Sequence, residues 1–186
     1  MRIVIAGILG GIAMFIWTSI AHVATPLGAI GFSQMTDEAS VLPVLQNSVG
    51  SKPGLYIFPW MDPMDPKAEE AYAEKAKTSP SGLLLYRPAG AGIAMTPALL
   101  GTEFAKETAQ ALIAALLLSM TSIGAYAMRV AFVALIHVSA ALATNVSYWN
   151  WYGFPLDYTV AQMFIELVEG LLAGLVIAAI VRPQTA

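Results

Sequence analysis

Cysteine is absent from this 186-residue chain, and charged side chains make up only 11% of it. The missing thiols exclude disulfides, thiolate catalysis, iron–sulfur clusters and cysteine-ligated zinc sites. A net charge of −3 leaves no basic surface of the kind that binds nucleic acid, so we expect no nucleic-acid partner. No nucleotide-binding glycine loop, HExxH motif or serine-hydrolase signature is found either. The sequence therefore favours a non-enzymatic protein, and it predicts no cofactor.

Apolar residues make up 58% of the chain, more than a soluble domain usually contains. They concentrate in four runs, and a run of ~20 such residues in a helix crosses the hydrocarbon core of a bilayer. The sequence predicts an all-α membrane protein, a four-transmembrane-helix bundle with a small α/β or irregular extracytoplasmic insert between helices 1 and 2. The predicted parts are helix 1 (1–25), the insert (26–96) and a three-helix membrane region (97–186) with spans at about 105–124, 129–147 and 158–181.

The first apolar run, Ile3 to Val23, has a second interpretation as a cleaved signal peptide. Ser19-Ile20-Ala21 is an acceptable small-x-small cleavage site. The run is longer than the usual 7–15-residue apolar region of a signal peptide, however. We therefore expect a retained membrane anchor.

The insert collects most of the charged residues and prolines. Thr36-Asp37-Glu38 is typical of a helix start, and Asp65-Pro66 precedes an alanine-rich helix. Two short apolar segments, 55–60 and 82–88, are bounded by Gly and Pro and are typical of strands that could pair into a small lid. Their aromatic residues could instead lie at the membrane interface.

Orientation follows from three arginines near span ends. With four spans, Arg2, Arg129 and Arg182 fall on one side, and basic residues near span ends mark the cytoplasmic side. We expect both termini inside, with the insert and the 147–157 connector outside. Aromatic residues of that connector and the start of the last span would form an outer belt: Tyr148, Trp149, Trp151, Tyr152 and Tyr158.

The connector SYWNWYGFP, followed by a span ending in LLAGLVIAAIVRP, carries a resemblance. Together with the LLYRPAG segment and the glycine-rich first span, it resembles a group of uncharacterised four-span bacterial inner-membrane proteins. The resemblance covers most of the chain. It implies a fold and a location in the bacterial cytoplasmic membrane, and it implies no chemistry.

The last span contains two acids, Glu166 and Glu169, on one stripe with Gln162. A carboxylate within a span is costly unless it faces protein, water or a partner. His137 lies ~16 Å below the outer surface, at the depth of Glu169. We therefore predict a His137–Glu169 contact, with Glu166 near Asn145 or Gln162. This intramembrane polar site is either a proton- or cation-handling site or a set of interhelical ties.

A second cluster is predicted at the outer mouth. His22 ends the first span, and Glu103 and Glu107 lie near the start of the second helix. A histidine with two carboxylates could hold a divalent metal. The alternative is that these acids simply lie in a wet stretch at a helix N-terminus, where acids are favourable.

Small residues mark faces that allow another helix to approach closely, at Gly7 and Gly11 in the first span and at Gly170 and Gly174 in the last. Besides the lipid bilayer, they suggest a partner, either a second copy of the chain or another membrane subunit. The first functional hypothesis is therefore a non-enzymatic, partner-binding or accessory component of a membrane complex. The alternatives are proton- or ion-coupled transport at the intramembrane polar site and metal binding at the outer face.

Overall fold

The computed structural model describes residues 1–92 and 94–182. These divide into two compact units, one of Ser33–Ala94 and one of Met1–Phe32 with the chain from Met95 onward. The second unit, called here the helical unit, contains α1 (Arg2–Ser19), a first π turn (Ile20–Ala24), a 3₁₀ turn (Pro26–Ala29), α4 (Pro97–Ser119), α5 (Tyr126–Ala141), a second π turn (Leu142–Val146), α6 (Ser147–Tyr152) and α7 (Leu156–Ile180). The insert unit contains α2 (Glu38–Val49), β1 (Gly54–Phe58), α3 (Ala68–Thr78) and β2 (Gly82–Tyr86).

Within the described part of the chain, three continuous helical stretches are long and apolar enough to cross a membrane: Arg2–Ala24, Tyr126–Tyr152 and Leu156–Ile180. They indicate a helical membrane protein. The 23-residue α4 would reach ~34 Å at 1.5 Å per residue, but its first half carries three charged side chains. Length alone would therefore let α4 span a bilayer, whereas its composition is that of a mixed polar and apolar helix.

α1 and α4 are antiparallel neighbours whose backbones approach closely at two glycines. A Cβ at Gly11 would lie 2.6 Å from Thr108 Cα, and one at Gly7 would lie 2.9 Å from Leu112 Cα. Neither position has room for a side chain, so only glycine allows this separation of the two helices.

α5 and α7 pack in the same way at the other two predicted glycines, Gly170 and Gly174. A Cβ at Gly170 would meet His137 Cβ at 2.7 Å, and one at Gly174 would meet the Val130 carbonyl oxygen at 2.8 Å. All four glycines predicted to allow a close approach of another helix are therefore buried between helices of the same chain.

The apolar half of the helical unit lies toward the end that contains Met1, Ser119, Tyr126 and Ile180. Its core consists of small and branched side chains: Ala6, Met14, Ala111, Ala114, Ala115, Leu118, Val130, Val133, Ala173, Ile177, Ala178 and Val181. At this end Arg129 Nη1 donates a hydrogen bond of 2.8 Å to the carbonyl oxygen of Val181. The other half, toward His22, Glu103, Tyr152 and Leu156, contains the polar side chains described below and is called the polar half.

Two predicted boundaries differ around the turn between α4 and α5. α4 ends at Ser119, earlier than the predicted end of the second span near 124. α5 begins at Tyr126, before the predicted start at 129. The Tyr126 hydroxyl donates to the carbonyl oxygen of Leu175 at 2.8 Å, and this contact with α7 favours helix from the first residue of α5.

The aromatic connector is largely helical, which the sequence interpretation missed. Helix continues through the second π turn and α6 to Tyr152 and stops at Gly153, whose φ of +70° is left-handed. A left-handed residue after the last helical turn is a common helix end, and glycine adopts it without steric cost. The last helix begins at Leu156 with Pro155 as its N-cap, and Asp157 lies in its first turn.

The insert unit contains the two predicted strands, and their pairing is confirmed. β1 and β2 are antiparallel, with Gly54 opposite Tyr86 and Phe58 opposite Gly82. The Tyr86 hydroxyl donates to the carbonyl oxygen of Gly50, and the residue is largely buried, so this aromatic side chain packs within the insert unit. Asp37 caps α2 by accepting a hydrogen bond from the Ser40 amide. Hydrogen bonding to the Ser40 side chain, and then to its amide, lowers the pKa of the Asp37 carboxyl group.

Candidate functional site

A cavity of about 290 Å³ lies in the polar half of the helical unit, and all four long helical stretches contribute to its wall. We call it the polar cavity. Most of its lining side chains are polar or charged: Thr18, His22, Glu103, Lys106, Gln110, His137, Thr144, Gln162, Glu166 and Glu169, with Ala140 and Ile165 as the apolar members. Both clusters predicted from the sequence therefore contribute to a single cavity.

Two carboxyl groups meet beside this cavity. Glu107 of α4 is fully buried, Glu169 of α7 is 5% exposed, and their carboxyl groups lie within hydrogen-bonding reach of each other. Lys106 Nζ lies 2.9 Å from Glu107 Oε1 and 2.8 Å from Glu103 Oε1. The Lys106 ammonium thus pairs with two carboxylates of α4. The second carboxyl oxygen of Glu107 has no hydrogen-bond partner among the described residues.

The remaining oxygens of the pair lack donors. Among the described residues, nothing donates a hydrogen bond to Glu107 Oε2 or to Glu169 Oε1. Two ionised carboxylates repel each other and have no hydrogen to share, whereas a pair that holds one proton forms a hydrogen bond. The arrangement therefore fits a carboxyl–carboxylate pair that shares a single proton.

His137 was predicted to contact Glu169, and that pairing was wrong. Its Nδ1 lies 3.0 Å from the carbonyl oxygen of Val133, one turn earlier in α5, and among the described residues its Nε2 has no hydrogen-bond partner. The acid is accompanied instead by Glu107 from α4. His137 still lines the same cavity and is 5% exposed.

The imidazole tautomer follows from this geometry. A carbonyl oxygen only accepts, so Nδ1 of His137 must donate to Val133. In the neutral ring Nε2 is then an unprotonated acceptor. The cavity wall therefore offers a buried lone pair in addition to its carboxylates.

Glu166 is held by Asn145, one of the two neighbours expected for it. Asn145 Nδ2 donates to Glu166 Oε1 at 2.9 Å and also lies 3.1 Å from the carbonyl oxygen of Ala141. Asn145 is 4% exposed, and this contact fixes the position of Glu166 on the cavity wall. Gln162 lines the same wall one turn away.

Both π turns contribute to the polar half. The first contains His22, and the second contains Thr144 and Asn145. A π turn accommodates one more residue than an α turn and is frequent at functional sites. Two of them in the helices around one cavity are unusual for a region that only has to pack.

The predicted metal site does not form. Among the described residues there is no group of three or more His, Asp or Glu side chains placed to hold a metal ion. Glu103 and Glu107 bind Lys106 instead, and His22 Nδ1 donates to the carbonyl oxygen of Thr18 at 3.0 Å. An internal lysine thus occupies the position where a divalent cation was expected.

Four polar cavity residues are absent from the predicted sites: Thr18, Lys106, Gln110 and Thr144. A signal for two of them was present, because Glu103, Lys106, Glu107 and Gln110 are spaced at i, i+3, i+4 and i+7 and so share one face of a helix. In the sequence interpretation, the two acids of the last span had no polar partner helix. This polar face of α4 is that partner. Thr18 had no comparable signal.

Comparison with known protein families, with curated proteins and with solved structures gave no significant match. The resemblance to four-span bacterial membrane proteins therefore stays a prediction. The functional argument depends on the polar cavity alone.

Proposed function

We propose that this protein is a four-span membrane protein of the bacterial cytoplasmic membrane that binds and transfers protons at the polar cavity. The observation that carries the proposal is the buried pair of Glu107 and Glu169, each of which has a buried carboxyl oxygen without a hydrogen-bond partner among the described residues. Buried acids and histidines within membrane helices are characteristic of proton and ion pathways. A shared proton is the simplest ligand of such a pair.

The four-span topology is supported by the charges of α4. Its ammonium is neutralised by two carboxylates of the same helix, and its fully buried acid, Glu107, is enclosed by protein. Charges within a span are tolerated when they pair and face the bundle interior. The composition that makes α4 the least apolar of the four long helices is thus compatible with crossing a bilayer.

The orientation is supported by the ends of the helices. α1 and α5 are both antiparallel to α7. This arrangement brings Arg2, Arg129 and Arg182 to one end of the helical unit. The positive-inside rule then favours both termini in the cytoplasm and the insert unit outside. The polar half, with the cavity, would lie toward the outer side.

Proton handling is favoured over partner binding because the glycine faces that motivated a partner are occupied within the chain. Homo-oligomerisation stays a prediction without a surface that specifically supports it. A purely structural role for the acids is less favoured, because two buried acids beside each other cost more than interhelical hydrogen bonds return.

Proteoliposomes provide the test. The purified protein is reconstituted with a pH-sensitive dye inside, and a potassium diffusion potential drives proton entry. We expect proton flux above that of empty liposomes and at least a tenfold loss in Glu169→Gln and in Glu107→Gln, because an amide cannot exchange a proton. The matched control Glu74→Gln changes a solvated acid of α3 and should behave as wild type.

Two outcomes would overturn the proposal. One is wild-type flux equal to that of empty liposomes, and the other is Glu169→Gln with full flux. Size-exclusion profiles that match wild type exclude misfolding as the cause of a loss.

A further inference from the structure

An apolar groove adjoins the polar cavity. It has a volume of about 710 Å³ and lies between the end of α1 with its π turn and the start of α4. Its apolar wall includes Phe15, Val23, Leu99 and Leu100. Thr18, His22 and Glu103 line both the groove and the polar cavity. The two spaces therefore adjoin each other at these three side chains.

The polar cavity is rich in acceptors. Three lining carboxylates, Glu103, Glu166 and Glu169, face a single lysine, which leaves an excess of two negative charges if all four are ionised. His137 adds a buried Nε2 that has no partner among the described residues and that accepts in the neutral ring. A ligand that matches this wall must be cationic and must donate several hydrogen bonds.

We infer that the two spaces together bind a single-chain lipophilic primary amine in its protonated form. Its ammonium group supplies three N–H donors to the carboxylates and to His137, and its alkyl chain lies in the apolar groove. Charge complementarity decides the head group, and the apolar wall decides the tail. This inference rests on the proposed function, because the ammonium group would occupy the polar cavity as the bound cation in place of a proton.

The test measures binding and not flux. The protein is placed in lipid nanodiscs, and the equilibrium binding of radiolabelled decylamine is compared with that of empty nanodiscs. We expect saturable binding of one amine per chain. Decyltrimethylammonium has the same tail and charge without N–H donors, and 1-decanol has the same tail without charge, so each should compete at least tenfold more weakly.

Two variants locate the site. Leu99→Trp fills the groove and should weaken decylamine binding at least tenfold, whereas Leu116→Trp, on the same helix and similarly exposed but outside both spaces, should stay within twofold of wild type. Glu169→Gln should also weaken binding tenfold, because it removes a cavity carboxylate. It serves as a second variant if Leu99→Trp fails to fold.

The inference is overturned if protein nanodiscs bind no more decylamine than empty ones. It is also overturned if decyltrimethylammonium or 1-decanol competes equally, or if Leu99→Trp and Leu116→Trp behave alike. Proton flux that persists without amine binding removes only this inference. Saturable amine binding in a protein without flux removes only the proposed function.

Discussion

The two halves of the helical unit are built by opposite rules. In the apolar half, alanines and branched residues fill the space between helices, and Gly7, Gly11 and Gly174 bring backbones together. In the polar half, the same four helices separate around a cavity, two of them change to π turns, and acids stay buried without full hydrogen bonding. The apolar half stabilises the fold. The polar half retains buried acids that lower its stability, and a requirement for packing alone would not retain them.

The strongest test of this contrast is Gly11→Ala. The added Cβ would lie 2.6 Å from Thr108 Cα, so α1 and α4 would have to separate, at a cost of about 2–3 kcal/mol in the free energy of unfolding. Unfolding in mixed micelles by titration with a denaturing detergent measures it. Gly101→Ala, in α4 with open space around it, is the matched control and should be neutral or slightly stabilising. Equal effects of the two substitutions would contradict close packing at Gly11.

A smaller effect of opposite sign is expected in the polar half. Glu169→Met replaces a buried acid, itself beside another acid, with an apolar side chain of similar size. We expect the free energy of unfolding to rise by about 1 kcal/mol, because an unfavourable buried polar group is removed. Proton flux should be lost in the same variant. A clear loss of stability would show instead that Glu169 holds the helices together.

The smallest effect is expected at the contact between Asn145 and Glu166. Asn145→Ala removes a hydrogen bond between the second π turn and α7, and interhelical bonds in membrane proteins contribute about 0.6 kcal/mol on average. The same unfolding assay measures the loss. Asn150→Ala, at an exposed position of α6, is the control and should leave stability unchanged. A loss of several kcal/mol would place Asn145 among the residues that hold the fold.

The sequence predicted local features well where a short-range signal determines them. The start of α2 at Asp37 and the pairing of the strands depend on capping chemistry and on turn residues, both of which act over a few positions. The end of the aromatic helix was missed because one glycine, Gly153, decides it, and aromatic residues fit a helix and a connector equally well.

The partner of Glu169 could not be predicted, because depth and chain order do not specify the rotation of a helix. His137 was chosen as its partner since α5 and α7 are consecutive spans at matching depth. In the structure α4 presents Glu107 to the same acid, although the two residues are far apart in the sequence. Helix rotation is decided by the glycine contacts of both helix pairs, which are tertiary features that no single segment encodes.

The π turns make the polar half sensitive to the deletion of a single codon. A π turn is an α-helix with one extra residue in a turn. Deleting a single codon within Ile20–Ala24 or Leu142–Val146 would remove the extra residue and restore regular α winding, while the flanking turns would keep their register. The widened turn that contains His22, or the one that contains Thr144, would then be lost from the cavity wall while each helix stayed intact. An in-frame loss of three nucleotides would thus erase the site and spare the scaffold.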